Sequence, residues 1–320
     1  MAILAGIDEA GFGPLLGPLI VSGVAFRVPD DQLNRCLWDT LRATCTPQAR
    51  PGRRRLLIAD SKHLYKSRGS LAPLERAALV MLAVAGHNPR SWRALLDSIA
   101  PDAAEQLGQY PWYSGTDVSL PLSDGVGHIG TQANAIRRDC ADHGIALTGV
   151  FSEPLPEGHF NRLVGNTRNK AVVLLGLTLR VVDRIMRSAP LERVRLYVDR
   201  LGGRVHYRDA LMTGLSGYEL QILEESPTRS AYRLVRSSRT CEIAFVTAGE
   251  THHFPVALAS VYSKYQRELY MHVFNSYWSG QIAGLRPTAG YYSDALRWLA
   301  DAASEIDRRS IDRGMLVRDR

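Results

Sequence analysis

Two adjacent carboxylates, Asp8 and Glu9, follow an apolar run near the start of the sequence, and a loop rich in glycine comes directly after them. Charged side chains are rarely buried unless they are paired or bound to a metal. Two acids at the end of a core strand therefore need a cation or a set of hydrogen-bond donors. The sequence predicts chemistry at this position, and Mg²⁺ is the simplest cation to take part in it.

Two further carboxylates end predicted strands later in the chain. Asp199 follows a strand predicted over 194–198, and Glu250 closes one predicted over 242–246. Acids without cysteine or clustered histidine suit hard cations such as Mg²⁺ or Mn²⁺, which bind substrate phosphates directly. Two such ions can activate water and stabilise the leaving oxygen in a displacement at phosphorus. Any one of these acids alone is explained as a solvated strand end or a cap. The four acids together favour phosphodiester hydrolysis.

The glycine loop has a second interpretation, as a dinucleotide-binding fingerprint. Gly11, Gly13 and Gly17 lack the G-x-G-x-x-G spacing, and Asp8 and Glu9 would repel a pyrophosphate unless a metal intervened. A loop of this kind instead lets the backbone approach a nucleic-acid strand closely.

The elements that position these residues follow an α/β pattern. The first strand and a strand over 19–27 are predicted to form an antiparallel hairpin. Further strands are predicted over 145–151, 194–198, 219–224, 231–235 and 242–246, and helices over 71–85, 167–187, 206–215 and 256–278, with a last helix near the end. Residues 87–144 break the pattern and are predicted to form an inserted subdomain or lid. Its aromatic residues favour core packing over base stacking.

Composition sets the outer limits. The chain has 320 residues, 45% hydrophobic and 22% charged, enough for one large or two small domains. Its apolar stretches are too short to cross a membrane and its start does not resemble a secretory signal, so we expect a cytoplasmic monomer. Four scattered cysteines indicate free thiols. The net charge of +7 favours a polyanionic partner such as nucleic acid.

Six motifs occur in order along the chain: G-I-D-E-A-G-F-G-P-L-L-G-P from Gly6, D-S-K-H-L from Asp60, Y-V-D ending at Asp199, G-E-T around Glu250, A-S-V-Y-S-K-Y-Q-R-E from Ala259 and P-T-A-G-Y ending at Tyr291. In these residues and this order the sequence resembles ribonuclease HII, the type 2 ribonuclease H family. The resemblance covers roughly residues 1–85 and 145–300, and the first motif is the most specific. Residues 87–144 and the strands between 224 and 242 have no counterpart in it.

The resemblance implies a ribonuclease H-like fold, with a central mixed β-sheet flanked by helices, in a single catalytic domain of residues 1–320 with an insertion at 87–144. It implies an endonuclease that cleaves the RNA strand of RNA–DNA hybrids, and single ribonucleotides in duplex DNA, leaving 5′-phosphate and 3′-hydroxyl ends. The four metal-binding acids, for Mg²⁺ or Mn²⁺, fall on Asp8, Glu9, Asp199 and Glu250. Substrate contacts fall on Gly11, Phe12, Gly13, Ser61, Lys62, Lys264, Thr288 and Tyr291.

Several positions depart from the family pattern. Glu250 stands where the family has aspartate, Phe12 where it has arginine, and Ala248 where it has lysine. The tyrosine that stacks on the sugar beside the scissile junction is missing from its position, and Tyr291 or Tyr292 is the nearest substitute. These changes affect junction recognition more than hydrolysis, although Glu250 could shift metal preference toward Mn²⁺.

Some of these residues have purely structural explanations. Lys264 and Glu268 are four apart on a predicted helix and can form an ion pair. His252 and His253 lie beside Glu250, where either could bind metal, shuttle a proton or do neither.

Two alternatives to a ribonuclease H remain. One is a nuclease of the same fold with a different DNA substrate. The other is a non-catalytic protein that binds hybrids or other nucleic acids, and the four carboxylates argue against it because they repel phosphate in the absence of metal.

Overall fold

A computed structural model describes residues 1–48, 55–65, 69–124 and 126–319. In this part of the chain the strands are β1 (Ala2–Ala10), β2 (Leu19–Val28), β3 (Cys45–Thr46), β4 (Leu56–Leu57), β5 (Ala146–Leu155), β6 (Arg193–Asp199), β7 (Glu219–Glu225), β8 (Arg229–Arg236) and β9 (Arg239–Val246). The helices are α1 (Leu37–Thr40), α2 (Ser61–Leu64), α3 (Ala72–Val84), α4 (Trp92–Ile99), α5 (Ala103–Leu107), α6 (Ile129–Asp142), α7 (Glu157–Thr167), α8 (Lys170–Ser188), α9 (Arg208–Gly214), α10 (Gly249–His252), α11 (Phe254–Gln281), α12 (Tyr292–Arg308) and α13 (Arg313–Leu316).

Seven strands form one mixed sheet in the order β5–β2–β1–β6–β9–β8–β7. The three central strands β1, β6 and β9 run parallel, and the flanking strands pair antiparallel with them or with one another. The carboxyl ends of β1, β6 and β9 therefore lie side by side at one edge of the sheet. The predicted β1–β2 hairpin and the predicted α/β class, a central mixed sheet flanked by helices, are confirmed.

Strand β1 is apolar because both of its faces are covered. Alternate strand residues point to opposite faces, so Leu4 joins the core beneath α11 while Ile3 and Ile7 join the core beneath α8. All three side chains are at most 4% exposed. Burial on both faces is what an uninterrupted apolar strand indicates.

Helix α11 lies against β1 at Gly6. A Cβ added at this glycine would be 2.3 Å from the backbone carbonyl carbon of Pro255 and from the nitrogen of Val256, so only glycine fits there. This close approach fixes the start of α11 over the sheet. The 28 residues of α11 then extend for about 42 Å, past the carboxyl edge of the sheet and onto the segment that contains α4 to α6.

The aromatic side chains of segment 87–144 pack in the core, as predicted. Trp92, Tyr110, Trp112 and Tyr113 are each 0% exposed. The ring centroids of Trp112 and Trp278 are 6.1 Å apart, and those of Trp92 and Tyr270 are 5.0 Å apart, so rings of this segment contact rings of α11. The apolar side chains of the segment belong to the same buried cluster as those of α11 and β2.

A buried carboxylate also holds this segment. Glu75 on α3 is 0% exposed and accepts hydrogen bonds from the backbone nitrogens of Leu122 and Ser123 and from the hydroxyl of Tyr265, each at 2.8 Å. Three donors on one carboxylate satisfy a group that would be costly to bury alone.

Several predicted boundaries were wrong. The helix predicted over 167–187 is α8, which begins three residues later, whereas α7 before it was not predicted; the chain turns between the two helices at Arg168, which has a positive φ of 52°. Glu250 does not close β9; the strand ends at Val246 and Glu250 lies in the short helix α10. Cys36, Cys45, Cys140 and Cys241 are free thiols, as predicted, and three of them are buried. No helix in the described ranges combines the length and the apolar character that a membrane crossing requires.

Candidate active site

Three of the four predicted acids meet at the carboxyl edge of the sheet. Asp8, Glu9 and Asp199 each offer a carboxylate oxygen, and these three oxygens lie within 4.8 Å of one another. Asp8 and Glu9 are near the end of β1, and Asp199 is the last residue of the neighbouring strand β6. The parallel pairing of the two strands brings the acids together. Both Asp8 and Glu9 belong to β1, so they converge through their side chains.

Backbone and hydroxyl donors hold these acids in place. The nitrogen of Glu9 donates to Oδ1 of Asp8 at 2.7 Å, and the nitrogen of Gly249 donates to Oδ1 of Asp199 at 2.9 Å. The hydroxyl of Ser263 on α11 donates to the carbonyl oxygen of Asp8 at 2.9 Å. Strand β1 and helices α10 and α11 therefore all contribute to the position of the cluster.

Glu250 reaches the same cavity from α10. It is not one of the three acids whose oxygens lie within 4.8 Å, but it lines the cavity with them, and its charge raises the pKa of both Glu9 and Asp199. Ala248 precedes it in a left-handed conformation with φ of 52°, which turns the chain from β9 into α10. The fourth acid is thus delivered by a turn of the chain and not by a strand end.

The pKa values of the cluster are raised. Burial raises the pKa of Asp8 well above its usual range, and the charges of Glu9 and Asp199 add to the effect. Burial also raises the pKa of Glu9. For Asp199, burial and the charges of Glu250 and Glu9 raise the pKa to about 7, against the hydrogen bond from Gly249. Carboxylates that repel one another in this way gain from a shared cation.

Unpartnered oxygens test whether these residues suit a divalent cation. Oε2 of Glu9 and Oε2 of Glu250 are both buried and have no hydrogen-bond partner in the described structure. A buried carboxylate oxygen without a donor is costly. The donor set is entirely oxygen, which matches Mg²⁺ and Mn²⁺ better than softer metals. The residues present therefore fit a hard divalent cation.

The D-S-K motif lines the same cavity, which has a volume of about 560 Å³. Asp60 caps α2 by accepting from the nitrogen of Lys62 at 3.0 Å. The Lys62 side chain is 84% exposed, with Nζ 3.9 Å from Asp60, and the charges of Asp60 first, then Glu250, raise its pKa. Ser61 is buried, and its Oγ accepts from the hydroxyl of Ser260 on α11 at 3.1 Å. Lys62 is thus placed to meet an anion, while Ser61 joins α2 to α11.

Lys264 forms the ion pair that its helical spacing allowed. Its Nζ lies 2.6 Å from Oε1 of Glu268, and both side chains are 16% exposed. The ammonium also lies 5.3 Å from the ring centroid of Tyr65. All three residues line the acidic cavity, so Lys264 is present at the site but is already neutralised by a neighbour.

The glycine loop borders the cavity through Gly11. This residue has φ of +91°, and an added Cβ would be 2.6 Å from the carbonyl oxygen of Pro18, so glycine is required there. The Phe12 ring packs partly against the core beneath α8, with the Lys170 ammonium 5.2 Å from its centroid. Gly13 is exposed, and a Cβ there would have no neighbour within 4 Å.

The last two predicted contact residues differ from each other. Thr288 is 3% exposed; its hydroxyl donates to Asp294 at 2.7 Å and accepts from the nitrogen of Gly290 at 3.0 Å, so it stabilises the turn before α12. Tyr291 is 49% exposed and lines both the acidic cavity and an adjoining cavity of about 490 Å³. The Arg267 guanidinium lies 5.3 Å from its ring centroid.

The two neighbouring histidines do not line the acidic cavity. His253 stacks on Tyr197, with ring centroids 3.6 Å apart, and burial lowers its pKa to about 4. His252 is exposed. Both line a separate, smaller cavity. The stacking of His253 on Tyr197 gives this histidine a packing role.

Sequence reasoning missed several supporting residues. Ser260 and Ser263 belong to a motif that was noted, and their i, i+3 spacing places them on one helix face. Arg267, four residues further along α11, donates to the carbonyl oxygens of Leu16 and Ala289. The i, i+3 and i, i+4 pattern of polar residues in an otherwise buried helix was the available signal.

Comparisons with known proteins find similar folds but no similar sequences. No protein-family model and no curated protein matches the chain. A mutant Bst-RNase HIII matches 99% of this chain at 15% identity with a TM-score of 0.46, and the same enzyme in complex with Mn²⁺ matches 99% at 14% with a TM-score of 0.44. The RNase HII of a PCNA complex from Archaeoglobus fulgidus matches 99% at 15% identity with a TM-score of 0.42.

This chain spans 66% of the length of the Bst enzyme and 94% of the archaeal one. The proteins found are of the same kind as the family that the motifs resemble. At such identities and TM-scores they assign no activity to this chain, and the functional argument rests on the geometry of the acidic cavity.

Proposed function

We propose that the protein is a metal-dependent endonuclease that hydrolyses the RNA strand of RNA–DNA hybrids, and single ribonucleotides within duplex DNA, leaving 5′-phosphate and 3′-hydroxyl ends. The observation that carries the hydrolytic part is the meeting of Asp8, Glu9 and Asp199, with Glu250 beside them, in one open cavity. The substrate class comes from the resemblance of the six motifs to ribonuclease HII.

The acids would hold Mg²⁺ or Mn²⁺, which when bound supplies a Lewis acid for the phosphate and lowers the pKa of water. The chain's own residues supply the geometry. Strands β1 and β6 fix Asp8 and Asp199, and the hydrogen bonds from Glu9 and Gly249 hold the two carboxylates. The bond from Ser263 holds the backbone at Asp8. Such preorganisation is how protein groups lower the barrier of phosphoryl transfer.

Two further groups are arranged for a polyanion. The exposed ammonium of Lys62 lines the cavity that holds the acids and can contact a phosphate next to the scissile one. Tyr291 offers a half-exposed ring at the boundary with the adjoining cavity, where a sugar or base can stack. A net charge of +7 favours approach of nucleic acid to the whole molecule.

The test is a cleavage assay with matched duplexes. The purified protein is incubated with an RNA–DNA hybrid, a DNA duplex containing one ribonucleotide, double-stranded RNA and double-stranded DNA, each with Mg²⁺, Mn²⁺ or EDTA. We expect cutting of the first two with metal, none with EDTA, and products that a 3′-hydroxyl-dependent polymerase can extend.

Controls separate the alternatives. Asp199→Asn should abolish cleavage, and Asp183→Asn, which changes an exposed acid paired with Arg187 on α8, should not. Cleavage of DNA alone would indicate a nuclease with another substrate. Tight hybrid binding without cleavage under any metal would indicate a binding protein and would refute the proposal.

A further inference from the structure

A single buried arginine binds the backbone of the glycine loop from far along the sequence. Arg318 is 3% exposed, and its Nη1 donates to the carbonyl oxygen of Gly11 at 2.6 Å, across 307 positions of sequence. Its Nη2 donates to the carbonyl oxygens of Phe12 at 2.9 Å and Pro14 at 2.6 Å. Its own nitrogen donates to the carbonyl of Leu15 at 2.9 Å. One guanidinium group thus donates hydrogen bonds to three carbonyl oxygens of the loop.

These contacts set the direction of the loop's amide groups. In a trans peptide the N–H points opposite to the C=O of the same unit. Because the carbonyls of Gly11 and Phe12 point at the Arg318 guanidinium, the N–H groups of Phe12 and Gly13 point away from it. Neither N–H has a hydrogen-bond partner in the described part of the chain. The loop therefore presents two free donors beside Gly11, which lines the acidic cavity.

An aromatic ring and a buried carboxylate lie near the Arg318 guanidinium. The guanidinium lies 4.5 Å from the ring centroid of Phe160. Burial and the charge of Arg267 lower the pKa of Arg318 to about 9, and the charge of Glu157, which is 0% exposed, opposes this shift. Glu157 also accepts from the nitrogen of Gly17 at 2.9 Å. A buried cation without such partners would destabilise the fold, and here its partners are the loop and the groups beneath it.

We propose that Arg318 is a positioning residue: it orients the Phe12 and Gly13 amides so that they donate to backbone oxygens of the nucleic acid beside the acidic cluster. This rests on the proposed function for its substrate, but the contact between Arg318 and the loop does not. Neither Phe12 nor Gly13 has a polar side chain, so backbone donors are what this part of the loop offers to an oxygen-rich strand.

The kinetic test uses Arg318→Met, which keeps the apolar stem, and Arg313→Met as a matched control, because Arg313 is 69% exposed on the adjacent α13. On the RNA–DNA hybrid we expect KM to rise about tenfold to a hundredfold in Arg318→Met, the effect of losing one charged hydrogen bond, with little change in kcat. Added guanidinium ion should lower KM again in Arg318→Ala, and methylammonium at the same concentration should not.

A second measurement follows the loop without activity. Hydrogen exchange of peptides covering 11–17 reports the amides of Leu15, Leu16 and Gly17, which are bonded in the structure. Faster exchange there in Arg318→Met, with unchanged exchange in β6, supports the proposal even if the wild type cuts nothing. Unchanged exchange, or a folded Arg318→Met with wild-type KM on a substrate that the wild type cuts, overturns it.

Discussion

Replacing Asp199 by asparagine should have opposite effects on stability with and without metal. Asparagine keeps an oxygen that can accept from Gly249, so the local geometry survives while the charge is removed. In wild type without metal, that charge lies beside those of Glu9 and Glu250. The metal-free variant should therefore be more stable than wild type, and the metal-loaded variant less stable.

The size of the effect follows from the pKa of Asp199, which rises from 3.8 to about 7 on folding. At about 1.36 kcal/mol per pKa unit, ionisation costs the fold about 4 kcal/mol at most, and solvent at this partly open site reduces the cost to about 1–2 kcal/mol. For 320 residues this corresponds to a melting temperature higher by about 1.5–3 °C.

The raised pKa of Asp199 also fixes the direction in which stability changes with pH. A carboxyl whose pKa is raised on folding binds more protons when folded, so wild type loses stability as the pH rises from about 4 toward 7. Asp199→Asn lacks this loss, so the variant and wild type should agree near pH 4 and differ most above pH 7.

The assay is thermal unfolding in EDTA and in excess Mn²⁺ at several pH values, with Asp183→Asn as the exposed control. A ligand at a hundred times its Kd stabilises by about 2.7 kcal/mol, and only proteins with an intact site should gain this. If Asp199→Asn melts below wild type in EDTA at pH 8, or gains as much from Mn²⁺ as wild type does, the electrostatic account of the cluster is wrong.

Three further predictions concern the parts of the fold that hold the site. Gly6→Ala places a Cβ 2.3 Å from the backbone of Pro255 and should cost about 3 kcal/mol or more, seen as a loss of soluble folded protein. Glu75→Ala leaves three buried donors without an acceptor and should cost about 3 kcal/mol by urea denaturation; Glu105→Ala, on the surface, should cost almost nothing. Burial raises the pKa of Glu157 from 4.5 to about 7, so wild type should lose stability as the pH rises from about 4.5 to about 7, and Glu157→Gln should lose less; an equal loss in both proteins would contradict this.

The positions of Asp8 and Asp199 could be predicted from the sequence because each depends on a short stretch of neighbouring residues. An apolar strand that ends in an acid places that acid at a known edge of the sheet, and parallel strands bring such edges together. Asp8 and Asp199 follow this rule. The Lys264–Glu268 pair was also within reach, since it depends only on helical spacing.

Other features depend on contacts that no local pattern contains. Glu250 lies in a four-residue helix, too short to leave a periodic signal, so it was assigned to the end of a strand. The Thr288 hydroxyl is used by its own turn, although the motif suggested a substrate contact. The Arg318 bonds to the glycine loop join residues about three hundred positions apart, and nothing near either end indicates the other.

The length of α11 connects the acidic cavity to the segment of residues 87–144. Ser263 and Lys264, in the first half of this helix, lie beside the acidic cavity. Two to four turns further on, Tyr270, Phe274 and Trp278 contact the rings of residues 87–144. Excising that segment would leave the large rings that contact it facing water on α11. A shortened protein would therefore need polar substitutions at these aromatic positions of α11 to stay in solution.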